Sequence, residues 1–175
     1  MPRYHARLPT LWLMTDPRMG DGLWRALERL PRGSGVIFRH YGVPGRRALF
    51  DRVRRVARAR GLVLVLAGSP KQARGWRADG MHGAEPGRAR LRTIGAHDAA
   101  EMVRAARIGA DLVLLSPVFG TRSHPGGRAL GRVRFGLLAR QSRVPVIALG
   151  GVTEGDRRSL GALGAVGWAG IDAFL

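Results

Sequence analysis

The segment LVLLSPVFGTRSHPGGRALG at residues 112–131, followed by VPVIALGGV at residues 144–152, carries the main evidence for the fold. An aliphatic run leads into a loop with Ser, Thr, Arg and His, and the next aliphatic run ends in Gly150 and Gly151. Continuous aliphatic runs are typical of parallel strands covered on both faces. In parallel α/β folds, ligands bind at the C-terminal ends of the strands. The segment therefore predicts parallel βα units with a ligand site at the strand ends.

Similar runs recur along the whole chain. Eight candidate strands lie at residues 11–15, 36–38, 62–66, 79–82, 92–94, 112–115, 146–149 and 168–171. Between the strands, apolar residues at helical spacing predict four helices, each with one apolar face. These faces consist of Leu23, Trp24, Leu27 and Leu30; Leu49, Phe50, Val53, Val56 and Ala57; Ala99, Met102, Val103 and Ala106; and Phe135, Leu137 and Leu138. Asp98 and Glu101 resemble a capping box at one helix start. This alternation predicts either a doubly wound sheet or a closed barrel.

Length and composition restrict the class of protein. The 175 residues fit one domain, residues 1–175, with a sizeable core. The absence of cysteine excludes disulfides, thiolate catalysis and Cys-based zinc sites, and it suits a reducing cytoplasm. The start, MPRYHARLPT, lacks the apolar stretch of a signal peptide, and the apolar runs are shorter than the roughly 20 residues of a membrane span. We expect a cytoplasmic protein without a membrane partner.

The formal net charge of +18 raises the hypothesis of a nucleic-acid partner. However, the basic residues are scattered and almost all arginine, with Lys71 the single lysine. Aromatic residues do not interleave with them as a base-stacking platform requires. We therefore expect a solvated surface whose positive field steers small phosphorylated substrates. RNA binding with steeply salt-dependent affinity is the alternative.

The motifs TIGAHDAAEM, GADLVLLSPVFGT, PVIALGGV and GWAGIDAF follow one another from residue 93 to residue 174. In the first half, LWLMTD, GVIFRHY, LVLVLAG and ADGMHG occur in the same order as in a known family. Together these segments resemble the thiamine-phosphate synthase and thiazole tautomerase family. The resemblance implies a compact (β/α)₈ TIM barrel. Because the last predicted strand ends near Leu175, we expect the final helix to be shortened or missing, with bare barrel wall exposed or covered in a homodimer.

The resemblance also implies a reaction. Synthases of this family join hydroxymethylpyrimidine diphosphate to thiazole phosphate, releasing pyrophosphate, in thiamine biosynthesis. Magnesium and cationic side chains stabilise the departing diphosphate. Carried over by position, the resemblance assigns a catalytic pyrophosphate contact to Arg39 and His124. The predicted substrate-binding residues are Thr121, Ser123, Gly150 and Gly151 on the thiazole-phosphate side, and His82 on the fourth strand.

Several positions depart from the family pattern. Of a glutamine-x-arginine-x-lysine pattern after the second strand, only Arg39 is kept. Ala67 and Gly68 stand where the family has asparagine and the magnesium-binding aspartate. Glu85 is the one nearby carboxylate and so the candidate ligand of a degenerate magnesium site. Asp172 stands where the family usually has a serine.

These departures leave a second function open. A non-catalytic or regulatory protein could retain the barrel and bind thiazole or thiamine phosphates without consuming them. The tautomerase activity is disfavoured, because Pro117 occupies the place of the histidine that those enzymes use.

Overall fold

The computed structural model describes residues 8–121 and 128–174. Eight parallel strands close into a barrel in sequence order, β1 pairing with both β2 and β8. The strands are β1 Leu11–Met14, β2 Gly35–Phe38, β3 Val63–Ala67, β4 Gly80–His82, β5 Arg92–Ala96, β6 Leu112–Leu115, β7 Val146–Leu149 and β8 Ala165–Gly170. The closed ring confirms the predicted TIM barrel and excludes the doubly wound sheet.

Helices follow six of the eight strands. They are α1 Gly22–Arg29, α2 Arg46–Arg60, α3 Pro70–Gly75, α4 Ala99–Arg107, α5 Gly131–Gln141 and α6 Arg157–Ala162. Residues 83–91 connect β4 to β5 without a helix. After β8, the described chain holds a 3₁₀ turn, Asp172–Phe174.

The barrel interior is filled by side chains from alternate positions of the strands, as the pleat requires. The buried members are Trp12, Met14, Ile37, Val65, Ala67, Leu91, Leu112, Leu114, Ile147 and Ala169. Gly35 makes room for the indole of Trp12, because a Cβ at that position would lie 2.2 Å from the ring. The indole N–H donates to the carbonyl of Pro9 at 2.8 Å, so this large side chain is buried with its polar atom paired.

Two apolar clusters lie between the barrel wall and the helices. One joins the outer faces of β1–β4 to α1–α3, and the other joins β5–β8 to α4–α6. Three residues predicted on apolar helix faces are instead exposed: Ala99 and Val103 (51%) on α4 and Leu137 (60%) on α5. In each helix a buried position lies one to three residues away, at Met102 in α4 and at Phe135 in α5.

Arg92 covers the barrel wall where the chain makes no helix. Its side chain shares the outward face of β5 with Ile94 and is 2% exposed. The guanidinium donates to the carbonyls of Glu85 at 2.7 Å, Gly83 at 3.4 Å and Gly87. One buried side chain thus holds the β4–β5 connection against the barrel.

Within residues 8–121 and 128–174, no helix combines the length and the apolar character needed to cross a lipid bilayer.

Candidate active site at the barrel mouth

The closed barrel brings the C-terminal ends of all eight strands to one rim. We call the space inside this rim the barrel mouth. Asp16 follows β1, Arg39 follows β2 and His82 ends β4. Since parallel TIM barrels bind ligands at this end, these polar side chains are the first candidates for a functional site.

Arg39 is fixed at the barrel mouth by the end of β1. Its backbone N–H donates to Oγ1 of Thr15 at 3.0 Å, and its Nε donates to the carbonyl of Thr15 at 3.3 Å. Its Nη2 donates to Oδ2 of Asp16 at 3.2 Å. The other carboxylate oxygen of Asp16 accepts from Nε of Arg18 at 2.9 Å and from its backbone N–H at 3.0 Å. The side chain of Arg39 is 26% exposed and therefore accessible to a ligand.

The electrostatics of this group follow from its packing. Burial raises the pKa of Asp16, but the hydrogen bonds from Arg18 and the charges of Arg18 and Arg39 outweigh it, so the pKa lies below its usual value. Burial lowers the pKa of Arg39, and the charge of Asp16 opposes that shift. An arginine stays protonated at neutral pH all the same. The group therefore holds two positive charges around one carboxylate.

His40 supports Arg39 through Thr15, whose Oγ1 contacts both residues. Its Nδ1 lies 2.9 Å from Oγ1 of Thr15, its ring stacks on Phe38 with centroids 4.9 Å apart, and it is 5% exposed. Arg46, on α2, donates to the carbonyl of His40 at 2.7 Å and to the carbonyl at the end of β3 at 2.6 Å. These contacts tie the tips of β1, β2 and β3 together and fix the direction of Arg39.

His82 forms a second polar pair. Its Nδ1 lies 2.9 Å from Oγ1 of Thr93, which is fully buried. Burial lowers the pKa of His82 to about 4, and the positive charge of Arg39 acts in the same direction. The imidazole is therefore neutral at physiological pH. It can form a hydrogen bond with a ligand but adds no positive charge to the site.

Across the ring, the loops after β6 and β7 pack tightly together. Gly150 and Gly151 have φ values of +93° and +64°. A Cβ on Gly150 would lie 2.7 Å from Cα of Pro117, and one on Gly151 would lie 2.4 Å from the carbonyl oxygen of Gly120. The paired glycines are thus required by backbone conformation and close approach, whatever they also bind. Thr121 lies on the same loop, half-buried, whereas Ser123 and His124 are outside the described residues.

A sequence model of the thiamine monophosphate synthase family matches residues 13–174 of the chain, which is most of the barrel. The chain belongs to this family. A thiamine-phosphate synthase of Methanoculleus marisnigri is 33% identical over 183 residues, covering 94% of this chain and 87% of that protein. A shorter match, 38% identical over 80 residues, spans 43% of a curated protein from Aquifex aeolicus.

Solved structures agree on the architecture of this thiamine monophosphate synthase family member. A thiamine phosphate pyrophosphorylase from Pyrococcus furiosus superposes with a TM-score of 0.76 at 22% identity, covering 95% of this chain and 86% of that chain. At this identity, the superposition shows a shared fold.

The residues present do not fit the magnesium ion that the resemblance implies. Ala67 and Gly68 carry no oxygen-bearing side chain at the end of β3. Glu85 is exposed on the β4–β5 connection, where its carbonyl accepts from Arg92. In residues 8–121 and 128–174, no group of three or more His, Asp or Glu side chains could hold a metal ion. Magnesium usually binds one or two carboxylates together with substrate phosphates and waters, and the described positions that end β3 supply no carboxylate for it.

The roles of Asp16, Arg18 and Thr93 in this family member were not predicted from the sequence. Asp16 directly follows the first predicted strand, and polar residues in that position of a parallel barrel face the ligand end. That signal was sufficient to select Asp16. The partnership of Asp16 with Arg39, 23 residues apart, depends on the β1–β2 register, which places Met14 beside Ile37.

Proposed function

We propose that this chain is a transferase of the thiamine-phosphate synthase type. It would join the pyrimidine methylene of hydroxymethylpyrimidine diphosphate to the nitrogen of thiazole phosphate. The observation that carries the proposal is the fixed, partly exposed guanidinium of Arg39 at the barrel mouth, in a chain matched by the family model from residue 13 to 174. A guanidinium fork suits the oxygens of a phosphate group.

The reaction transfers the pyrimidine methylene group from a diphosphate oxygen to the thiazole nitrogen. The bond between the pyrimidine methylene carbon and the diphosphate oxygen breaks, and its electron pair leaves with the pyrophosphate. The thiazole nitrogen then donates its lone pair to the methylene carbon, which forms the new carbon–nitrogen bond of thiamine phosphate. The chain's task is to position both substrates and to stabilise the negative charge that develops on the leaving group.

Each candidate residue takes a part in this scheme. Arg39, with His124, contacts the diphosphate. Thr121, Ser123 and the paired glycines line the thiazole-phosphate side. The list of proposed substrate contacts is completed by His82, whose neutral imidazole offers a hydrogen bond near Arg39.

The test is turnover by the purified chain. Both substrates are supplied, with magnesium in one series and a chelator in the other, and pyrophosphate and thiamine phosphate are measured over time against heat-killed protein. We expect equimolar release of the two products. Arg39→Gln should lower the rate about 100-fold, because one transition-state hydrogen-bond donor contributes on that order. The control Arg55→Gln, on the exposed face of α2, should keep the rate. No turnover above the heat-killed control in either series would refute the proposal.

The substitution of Ala67 and Gly68 for metal-binding residues favours one second candidate, a non-catalytic binder of thiazole or thiamine phosphates on the same barrel. Calorimetry separates the two functions. A binder retains thiazole phosphate or thiamine phosphate with saturable heat and leaves the ligand unchanged after prolonged incubation.

We further propose a cytoplasmic location, small phosphorylated ligands rather than nucleic acid, and a homodimer in solution. Exposed apolar side chains on α5, Val133 (79%) and Leu137 (60%), support a second copy as the covering partner. Light scattering on the purified chain measures the mass and decides between monomer and dimer.

A further inference from the structure

The carboxylate at the barrel mouth is already neutralised by arginine. Both oxygens of Asp16 accept from guanidinium groups, one from Arg18 and one from Arg39. A divalent cation at Asp16 would have to approach between two fixed positive charges. Like charges a few ångströms apart repel strongly wherever water is partly excluded. While both guanidinium groups hold it, Asp16 is therefore a poor metal ligand.

Four other carboxylates at this end of the barrel are also engaged. Their side chains accept hydrogen bonds in helix caps, form ion pairs, or accept from an indole N–H. The four residues are Asp98, Glu101, Glu154 and Asp156. The positions after β3, where an acidic ligand would be expected, are Ala67 and Gly68. Asp172 after β8 and the exposed Glu85 after β4 lie outside that group, but the described residues form no cluster of three or more His, Asp or Glu side chains. The described part of the mouth thus offers guanidinium groups to a ligand and no clustered carboxylates to a metal.

We propose that the mouth binds a diphosphate group directly through Arg39 and Arg18, without a bridging divalent cation. Asp16 occupies the two guanidinium groups when no ligand is bound, and the incoming diphosphate displaces it. The inference rests on the proposed function for the identity of the ligand. The claim that two side chains supply the positive charge otherwise supplied by magnesium does not depend on that function.

Chemistry supports this exchange. A diphosphate has more negative oxygens than one carboxylate, so it can accept from both guanidinium groups at once and gain more from them than Asp16 does. Loss of the Asp16 contacts then leaves that carboxylate beside the ligand as a repulsive charge. Asp16 therefore lowers the affinity for the anion and lets the product pyrophosphate leave.

The experiment measures binding of inorganic pyrophosphate by calorimetry at physiological ionic strength, in a chelator and again with magnesium. The variants are Arg39→Gln, Arg18→Gln, Asp16→Asn and the control Arg55→Gln on exposed α2. Asparagine is as good a cap as aspartate for the short turn Pro17–Met19, so Asp16→Asn removes the charge and keeps the local structure. Circular dichroism on each variant confirms folding.

We expect one pyrophosphate bound per chain in the chelator, with no gain in affinity from magnesium. Arg39→Gln and Arg18→Gln should each weaken binding about tenfold or more, as loss of a charge-assisted hydrogen bond requires. Asp16→Asn should tighten binding about threefold or more, because a nearby negative charge is removed, and Arg55→Gln should bind like the wild type. Binding that requires magnesium, an unchanged affinity in Arg39→Gln, or weaker binding in folded Asp16→Asn overturns the inference.

Turnover distinguishes this inference from the proposed function. Turnover that occurs in magnesium and stops in the chelator would overturn the inference and leave the proposed function standing. Metal-independent binding of pyrophosphate without any turnover would refute the proposed function and leave the inference standing.

Discussion

Replacement of Arg92 by methionine should loosen the one connection of the barrel that has no helix. Methionine matches the length of the arginine stem but donates no hydrogen bond. In the wild type, the buried guanidinium donates to the carbonyls of Gly83, Glu85 and Gly87. The substitution leaves these carbonyls without their donor, while it also removes the Nε of Arg92, which is buried without a partner in the described structure.

The magnitude follows from these contacts. Two of the three hydrogen bonds are short, and each bond to a charged group contributes about 1.5–3 kcal/mol. Removal of an unpaired buried N–H recovers about 1–3 kcal/mol. The net loss of unfolding free energy is then about 2 kcal/mol, which for a chain of this size lowers Tm by about 4–8 °C.

Urea unfolding followed by circular dichroism measures this loss, and limited trypsin digestion measures the loop itself. Arg88 and Arg90 lie in the connection, so a loosened loop should be cut faster. Arg88→Met, at an exposed position, is the matched control and should unfold like the wild type. An Arg92→Met protein with an unchanged urea midpoint and unchanged cleavage rate would refute the assignment of Arg92 as the anchor.

Two further predictions concern stability. Gly35→Ala should lose about 1–3 kcal/mol of unfolding free energy, since the added Cβ meets the ring of Trp12 at 2.2 Å. Thermal unfolding measures this loss against the control Gly95→Ala, whose Cβ meets nothing within 4 Å. Equal unfolding midpoints for the two variants would contradict the prediction. The pKa of His82 is about 4 in the folded chain and near 6.5 when unfolded, so the unfolded state binds the extra proton and stability should fall as the pH drops from about 6.5 towards 4. His82→Gln should flatten that fall in urea midpoints measured across this range, and an equally steep profile in the variant would show that His82 is not responsible.

The strands β6 and β7 were predictable because each is a continuous aliphatic run. β6 and β7 have the bounds that the sequence predicts, residues 112–115 and 146–149. β8 begins earlier than predicted, at Ala165, because its first residues include alanine and Gly167 and give little apolar signal. α3 and α6 were not predicted, since six residues are too few to establish a helical period.

The polar partnerships at the mouth were less accessible to sequence analysis. They depend on the register between strands, which places His82 opposite Thr93 and Met14 opposite Ile37. Composition and spacing along one strand contain no information about its neighbour's register. Family resemblance supplied Arg39, but Asp16 and Arg18, which surround it with charge, became evident only from the closed barrel.

The most direct test of the account is a crystal structure of this chain grown with pyrophosphate. The account predicts a diphosphate at the barrel mouth with its oxygens within hydrogen-bond distance of the Arg39 guanidinium and with Asp16 moved away from it. A diphosphate bound elsewhere on the positive surface, with the Asp16–Arg39 pair intact, would contradict it.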